Sequence, residues 1–277
     1  MTEPGVCAAG ARPPLLMGIL NVTPDSFSDG GQHNAQEAAL SRGLAMLDEG
    51  ADWVDVGGES TRPGAAPVDA AEEQARVVPV IAALARARPE ATISVDTSKA
   101  VVARAAIDAG ARIVNDVTAL SDSQMAGLVS RTAVTCVLMH MRGTPRDMQR
   151  ATVYADLVGE VIAVLGERAA VALQAGIAPT RILLDPGIGF GKTLRDNPVL
   201  IAATSQIAAL GYPILVGASR KAFIGKLTGV HTAGERVAGS VGAALAAAAA
   251  GASVLRVHDV AATRHALTVF DACGGLP

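Results

Sequence analysis

The sequence predicts an α/β protein built as a single (β/α)8 TIM barrel, with an active site at the C-terminal ends of its strands. Three observations lead there. Short β-rich runs alternate with longer helix-like runs along the chain, the pattern of a parallel sheet joined by crossover helices. Eight strand-like runs can be counted, whereas an open doubly wound sheet usually has fewer strands and a Gly-rich first turn. The runs also stop on polar residues: Asn21, Asp55, Asp96, Asn115 and Asp185, then Ser219-Arg220-Lys221 and Arg256-Val257-His258-Asp259. Polar groups gathered at the ends of many parallel strands describe an active-site rim.

Residues 1–14, rich in Ala, Gly and Pro, read as a flexible tail, and the barrel domain runs over 15–277. The first strand, Leu15 to Asn21, leads through a polar loop (Thr23 to Gly31) to a helix near Ala35 to Glu49. The second, Trp53 to Gly57, leads through another long loop (Gly58 to Ala65) to Asp69 to Ala87. Both loops are Gly/Pro-punctuated and read as mobile lids. Thr92 to Asp96 is followed by a helix over Lys99 to Ala109, and Arg112 to Asp116 by one over Ser123 to Ser130. Val134 to His140 precedes Tyr154 to Ala175, and Arg181 to Asp185 precedes Asn197 to Leu210. Pro213 to Gly217 precedes Ala233 to Ala250, and Val254 to His258 precedes Ala261 to Ala272.

Composition narrows the function. The 277 residues are 50% apolar but only 3% aromatic, so the core must be Ala, Val, Leu and Ile. A formal charge of −3 without a sustained basic run excludes nucleic acid as the expected partner and leaves small molecules. Cys7, Cys136 and Cys273 are widely spread, which fits a reducing compartment rather than a disulfide framework. Met1-Thr2-Glu3-Pro4 lacks a basic leader region, so a cytoplasmic location is expected. Val237 to Leu255 is mostly Ala and Gly, with Ser240 and Ser253 inside it, and reads as a packed helix and strand rather than a membrane span.

The loop Gly187-Ile188-Gly189-Phe190-Gly191-Lys192-Thr193 is not a P-loop, because Pro186 stands where the first glycine is required. Its glycines let backbone pass close to a flat ligand beside Phe190. Asp55, Asp96, Asn115, Asp185 and Lys221 would meet at the barrel mouth, and buried carboxylates need donors. That calls for a ligand rich in N–H groups, such as a 2-amino-4-oxo pyrimidine edge, or for a metal; structural ion pairs are the bland alternative for any single member. Arg62, Arg256 and His258 flank the first strand around a closed barrel and suit a phosphate or diphosphate, with Asn21 as an oxygen donor to a divalent ion. His140 lacks the H-x-H partner of metal-dependent hydrolase barrels, so no transition-metal site is expected there. Asp25, Phe27, Pro63 and Ser219 are candidates for closing over a second, aromatic substrate. Ser219 lacks the G-x-S-x-G elbow of a nucleophile.

Taken together, these motifs resemble the dihydropteroate synthases of the pterin-binding TIM-barrel family. The resemblance rests on Met17 to Gly31, Gly58 to Gly64, Ser94 to Thr97, Asn115-Asp116-Val117, Met139 to Gly143, Asp185 to Thr193, Gly217 to Lys221 and Arg256 to Asp259. It implies condensation of 6-hydroxymethyl-7,8-dihydropterin diphosphate with p-aminobenzoate in folate biosynthesis, with Mg2+ as cofactor. Asp96, Asn115, Met139, Asp185, Phe190, Gly217 and Lys221 would hold the pterin. Asn21 would meet the magnesium, while Arg62, Arg256 and His258 would bind the diphosphate and Asp55 would support the polar floor. Phe27, Thr61, Pro63, Phe190 and Ser219 would form the p-aminobenzoate pocket. Asp25, Arg62, Lys221, Arg256 and His258 would serve the chemistry. The family is commonly dimeric, and the Ala243 to Ala250 face would permit close packing, so a homodimer is expected. Where the family often has His before Asn, this chain has Asp196-Asn197, a change that falls at a helix start. Two rivals stay open: a corrinoid-dependent methyltetrahydrofolate methyltransferase, and a pterin-binding paralogue without turnover. The cationic set argues against the first, and both long loops argue against the second.

Overall fold

Side chains alternate between the two faces of a strand, and that period sets both the core and the rim of this barrel. The computed structural model describes residues 13–23, 31–62, 64–150 and 152–277, with 31–34 described by backbone alone. In order the elements are β1 (Leu15–Asn21), α1 (Gly31–Asp48), β2 (Trp53–Gly57), α2 (Ala70–Ala87), β3 (Thr92–Asp96) and α3 (Ala100–Asp108). There follow β4 (Ile113–Asp116), α4 (Met125–Arg131), β5 (Thr135–Met139), α5 (Leu157–Gln174), β6 (Ile182–Asp185), α6 (Asp196–Ala202) and α7 (Thr204–Ala208). The last elements are β7 (Leu215–Val216), α8 (Ala222–Thr228), α9 (Val237–Ala249), β8 (Val254–Val257) and α10 (Val260–Ala272). The 8 strands form one sheet in the order β6-β5-β4-β3-β2-β1-β8-β7, all pairs parallel, and a parallel bridge from Leu184 to Ile214 closes the ring.

Met17, Trp53, Ile113, Val137, Leu183, Leu215 and Val254 form an apolar cluster of their own, the plug inside the barrel. The alternate residues, among them Val54, Val95, Val114, Leu138, Leu184, Val216 and Leu255, belong to the larger core between strands and helices. Two residues beyond the plug, on the same inward face, stand Ile19, Asp55, Asn115, Met139, Asp185, Gly217 and Arg256, and the pairing register sets Asp96 beside Asn115. Four of these seven, Asp55, Asn115, Asp185 and Arg256, are polar, so the apolar interior gives way to polar groups beyond the plug. A shift of one residue in any strand would swap a rim group for a core group.

Helix starts follow local chemistry. Asp69 caps α2, its side chain accepting the Glu72 amide at 2.8 Å. Asp156 caps α5 through the Gly159 amide at 3.1 Å, so this helix begins at Leu157 rather than Tyr154. Other expectations are corrected as well. The helix expected over Asn197 to Leu210 is broken at Ala203 into α6 and α7. The helix expected from Ala233 begins at Val237, after a 3-10 turn at Ala233–Glu235. An unexpected α8 fills the preceding stretch and ends at Gly229, whose φ of 78° is the left-handed cap. β7, expected over Pro213 to Gly217, is only Leu215–Val216; Pro213 has no amide to donate, and Ile214 contributes a single bridge to Leu184. Of the expected tail, all but residues 13 and 14 lie outside the described residues. Among the described residues no helix is long and apolar enough to cross a membrane.

Candidate active site

Arg256 reaches inward from β8 and lies between two carboxylates. Its Nε donates to Asp55 Oδ2 at 2.6 Å and its Nη2 to Asp96 Oδ2 at 2.8 Å. Asn115 Nδ2 donates to the same Asp55 oxygen at 2.9 Å. Two carboxylates share one guanidinium, so the cluster keeps an excess of acceptors. Asp55 Oδ1 and the hydroxyl of Ser94, its register neighbour on β3, are buried without a hydrogen-bond partner among the described residues. Burial pushes the Asp96 carboxyl up to about 7; Arg256 opposes this and Asp55 reinforces it.

Asp185 ends β6 and accepts the Gly187 amide on Oδ1 at 2.7 Å. Gly187 has φ of 69°, and a Cβ there would sit 1.9 Å from the His140 carbonyl oxygen, so no side chain fits. Lys192, at the far end of the loop, brings its buried ammonium back to the ends of β5 and β6. That group donates to the Pro186 carbonyl at 2.8 Å and the His140 carbonyl at 3.1 Å, and lies 2.8 Å from His140 Nδ1. Burial and then Lys192 hold the imidazole down at about 3, so it stays neutral and its Nδ1 accepts. Burial lowers Lys192 itself to about 7. Lys192 ties the residues that follow β5 and β6 together, a contact the glycine spacing does not reveal.

Lys221, at the start of α8, lays its stem against Gly189, where a Cβ would lie 3.1 Å from Lys221 Cδ. Its ammonium donates to the Ile188 carbonyl and sits 4.7 Å from the centre of the Phe190 ring. Burial lowers it to about 8, with Asp185 pulling the other way. Met139 is buried at the end of β5. Gly217 leaves space beside Arg256, whose Cβ would lie 3.6 Å from a Cβ at 217. Asp55, Asp96, Asn115, Met139, Asp185, Phe190, Gly217, Lys221 and Arg256 thus share one rim.

His258 lies at the same mouth. Ser219 Oγ accepts the His258 amide at 3.2 Å and pairs with its Nδ1 at 3.0 Å. Burial, then Arg256 and Arg220, lower the imidazole to about 3, so it presents a neutral ring rather than a fixed cation. Ser219 is 6% exposed and engaged with His258, a tie across the mouth that its expected place in an aromatic pocket did not include. Arg220, held at φ 58°, pairs with Asp259 through Nε at 3.0 Å and joins the ends of β7 and β8. Asn21 closes β1 opposite Gly57, and a Cβ at Gly57 would lie 3.9 Å from Asn21 Oδ1 and 3.7 Å from Asp96 Oδ2.

Not every expected residue joins this set. Arg62 is exposed on the 58–68 loop, its amide donating to Ser60 Oγ at 3.4 Å, while Thr61 is half-buried beside it. Under that loop and next to Asp96 lies a cavity of about 270 Å³, lined also by Thr61, Thr118, Pro145 and Arg146. Asp25, Phe27 and Pro63 lie outside the described residues.

Comparison with known proteins gives a consistent result. A family model described as pterin binding enzyme matches residues 17–258. The dihydropteroate synthase of Neisseria meningitidis serogroup C is 50% identical over 270 residues, covering 96% of this chain and 94% of its own. The structure of Xanthomonas albilineans dihydropteroate synthase with 4-aminobenzoic acid superposes with a TM-score of 0.90 at 52% identity, covering 96% of this chain and 94% of the other. The same organism's enzyme in complex with 7,8-dihydropteroate gives a TM-score of 0.87 at 49% identity, covering 96% and 95%.

Proposed function

The chain belongs to the pterin-binding enzyme family, and we propose that it condenses 6-hydroxymethyl-7,8-dihydropterin diphosphate with p-aminobenzoate, giving 7,8-dihydropteroate and diphosphate. The observation that carries this reading is the shared rim: Asp96 and Asn115 on one side, Asp185 and Lys221 on the other, with Arg256 between them. The acceptor-rich side suits the N–H edge of a pterin, and the cation suits a departing anion.

The electron-rich pterin ring delocalises positive charge developing on its methylene carbon. The bond from that carbon to the diphosphate oxygen breaks, and its electron pair leaves with diphosphate. The arylamine lone pair forms the new C–N bond, after which the nitrogen sheds one proton. An arylamine that has attacked is strongly acidic, so no strong general base is required. The protein's work is to orient the pterin and stabilise the leaving anion. Arg256 and His258 would meet the anion, and Arg62 would join them from its loop. Phe190, Thr61 and Ser219, with Phe27, Pro63 and Asp25 from outside the described residues, would enclose the arylamine.

A magnesium ion fits this donor set as a companion of the diphosphate. Asn21 offers an amide oxygen above the bare Gly57, and among the described residues no group of three or more His, Cys, Asp or Glu side chains is arranged to hold a metal alone. Magnesium is commonly held by one or two protein oxygens together with substrate phosphates and water. When bound it would neutralise charge on the leaving group.

Titration of Asp96 gives a pH test. A pterin N–H donor needs the ionised carboxylate, and the group is protonated below about 7. Affinity for a bare pterin is therefore expected to fall with decreasing pH through that value, and Asp96→Asn to remove that fall; calorimetry across pH 5.5–7.5, below the value of about 8 at which Lys221 loses its charge, reads both.

A cytoplasmic homodimer completes the proposal. Cys136 and Cys273 are free, as in a reducing compartment. An apolar groove of about 610 Å³ runs over α6, α8 and α9, lined by Ile201, Phe223, Leu227, Ala243, Ala246 and Ala250, and Leu227 is 70% exposed. Small residues on α9 allow close approach of a second copy. Leu227→Lys is expected to convert a dimer to monomer in analytical ultracentrifugation; an unchanged sedimentation coefficient would reject this face.

Diphosphate release measured with and without p-aminobenzoate tests the activity itself. Release that depends on the arylamine is expected, and none in its presence would overturn the reading.

A further inference from the structure

The loop between β2 and α2 rests on an ionic clamp that no catalytic role requires. Lys99, the residue before α3, donates its ammonium to Glu59 Oε2 and to Glu73 Oε2. Glu73 lies on the inner face of α2 with no exposure, and its Oε1 has no partner among the described residues. Glu59 uses its other oxygen to accept the Val68 amide at 3.1 Å. Residues 59 and 68 are the two ends of the excursion that carries Thr61 and Arg62, so one side chain staples that loop shut at its base. Arg76 adds a bond from Nη1 to the Gly58 carbonyl at 2.7 Å, and the tip is tied by the Gly64 amide on the Pro145 carbonyl at 3.2 Å.

Burying charges in this way is a poor route to stability, since apolar residues of similar volume commonly do as well or better. What the cluster supplies is direction: three charged groups from three elements have one low-energy arrangement, and the loop inherits it. We propose that Glu59, gripped by Lys99 against Glu73, is a positioning residue that fixes the 58–68 loop over the mouth and so sets affinity for the arylamine. The inference rests on the activity proposed above. Glu59 touches no reacting atom in this scheme; it acts through Thr61 and Arg62.

Glu59→Ala is the informative variant, because it leaves Lys99 paired with Glu73 and spares the fold. It is expected to raise KM for p-aminobenzoate by roughly tenfold at saturating pterin diphosphate, with kcat changed less than about threefold and the Kd of a bare pterin unchanged. Glu59→Gln keeps an acceptor for the Val68 amide and is expected to recover part of the loss. Hydrogen exchange over residues 58–68, measured without substrates, is expected to speed up in Glu59→Ala. Unchanged exchange, or a KM within twofold of the parent, overturns the inference, as does a parallel loss of pterin affinity. Exchange is read without turnover, so a wild-type protein that fails to release diphosphate would sink the activity while leaving the clamp separately judged.

Discussion

Arg256→Ala is expected to lower kcat by roughly 10²- to 10³-fold, the usual loss when one donor aimed at developing negative charge is removed. It is also expected to destabilise the fold by about 3–5 kcal/mol, because a buried ion cluster loses its cation. Both effects follow from one contact set. Arg256 holds Asp55 at 2.6 Å and Asp96 at 2.8 Å, and Asp55 is fully buried. Without the guanidinium, Asp96 has its carboxyl pushed still further up by burial and by Asp55. Bare-pterin binding at neutral pH will then suffer indirectly. At pH 8.5 it should return towards the parent value, while turnover with the diphosphate ester should not. Calorimetry and steady-state kinetics at both pH values separate the roles. Loss of bare-pterin binding at every pH would place Arg256 in the pterin pocket and overturn its assignment to the anion.

Asp185→Asn is expected to do the converse. The carboxylate accepts the Gly187 amide on Oδ1 at 2.7 Å, and its other oxygen, with no hydrogen bond among the described residues, can accept from a ligand's N–H edge. Asparagine turns one acceptor into a donor, so a donor meets a donor at the ligand or at the loop. The cost should be about 2 kcal/mol, or roughly 30-fold in pterin affinity. Binding of inorganic diphosphate with magnesium should change less than twofold. Equal losses for both ligands would mean that Asp185 supports the whole mouth rather than the pterin alone.

The rim was legible in the sequence because alternation along strands is strict. A polar residue at or near the end of an apolar run, as at Asn21, Asp55, Asp96, Asn115 and Asp185, can be read without knowing the pairing; parallel registration then sets Asn21, Gly57, Asp96 and Asn115 in one row, with Asp55 two residues below it on the same inward face. Contacts between distant side chains were not legible. Lys192 follows a glycine loop that is not a P-loop, and its grip on His140 spans 52 residues. The Lys99 clamp spans 40 residues to Glu59 and 26 to Glu73, and Glu73 reads on its own as a first-turn helix carboxylate. The Ser219 and His258 contact spans 39. The break at Ala203 and the short α8 escaped for a different reason: each falls in a run of small or apolar residues too short to show a period.

One claim underlies the rest: an acceptor-rich pterin cup and an anion-binding cation occupy one rim. A crystal structure of the protein with a dihydropterin diphosphate analogue and magnesium tests it directly. The pyrimidine edge is expected against Asp96, Asn115 and Asp185, with the diphosphate reaching Arg256 and His258. A pterin bound elsewhere, or a diphosphate directed away from Arg256, would contradict the claim.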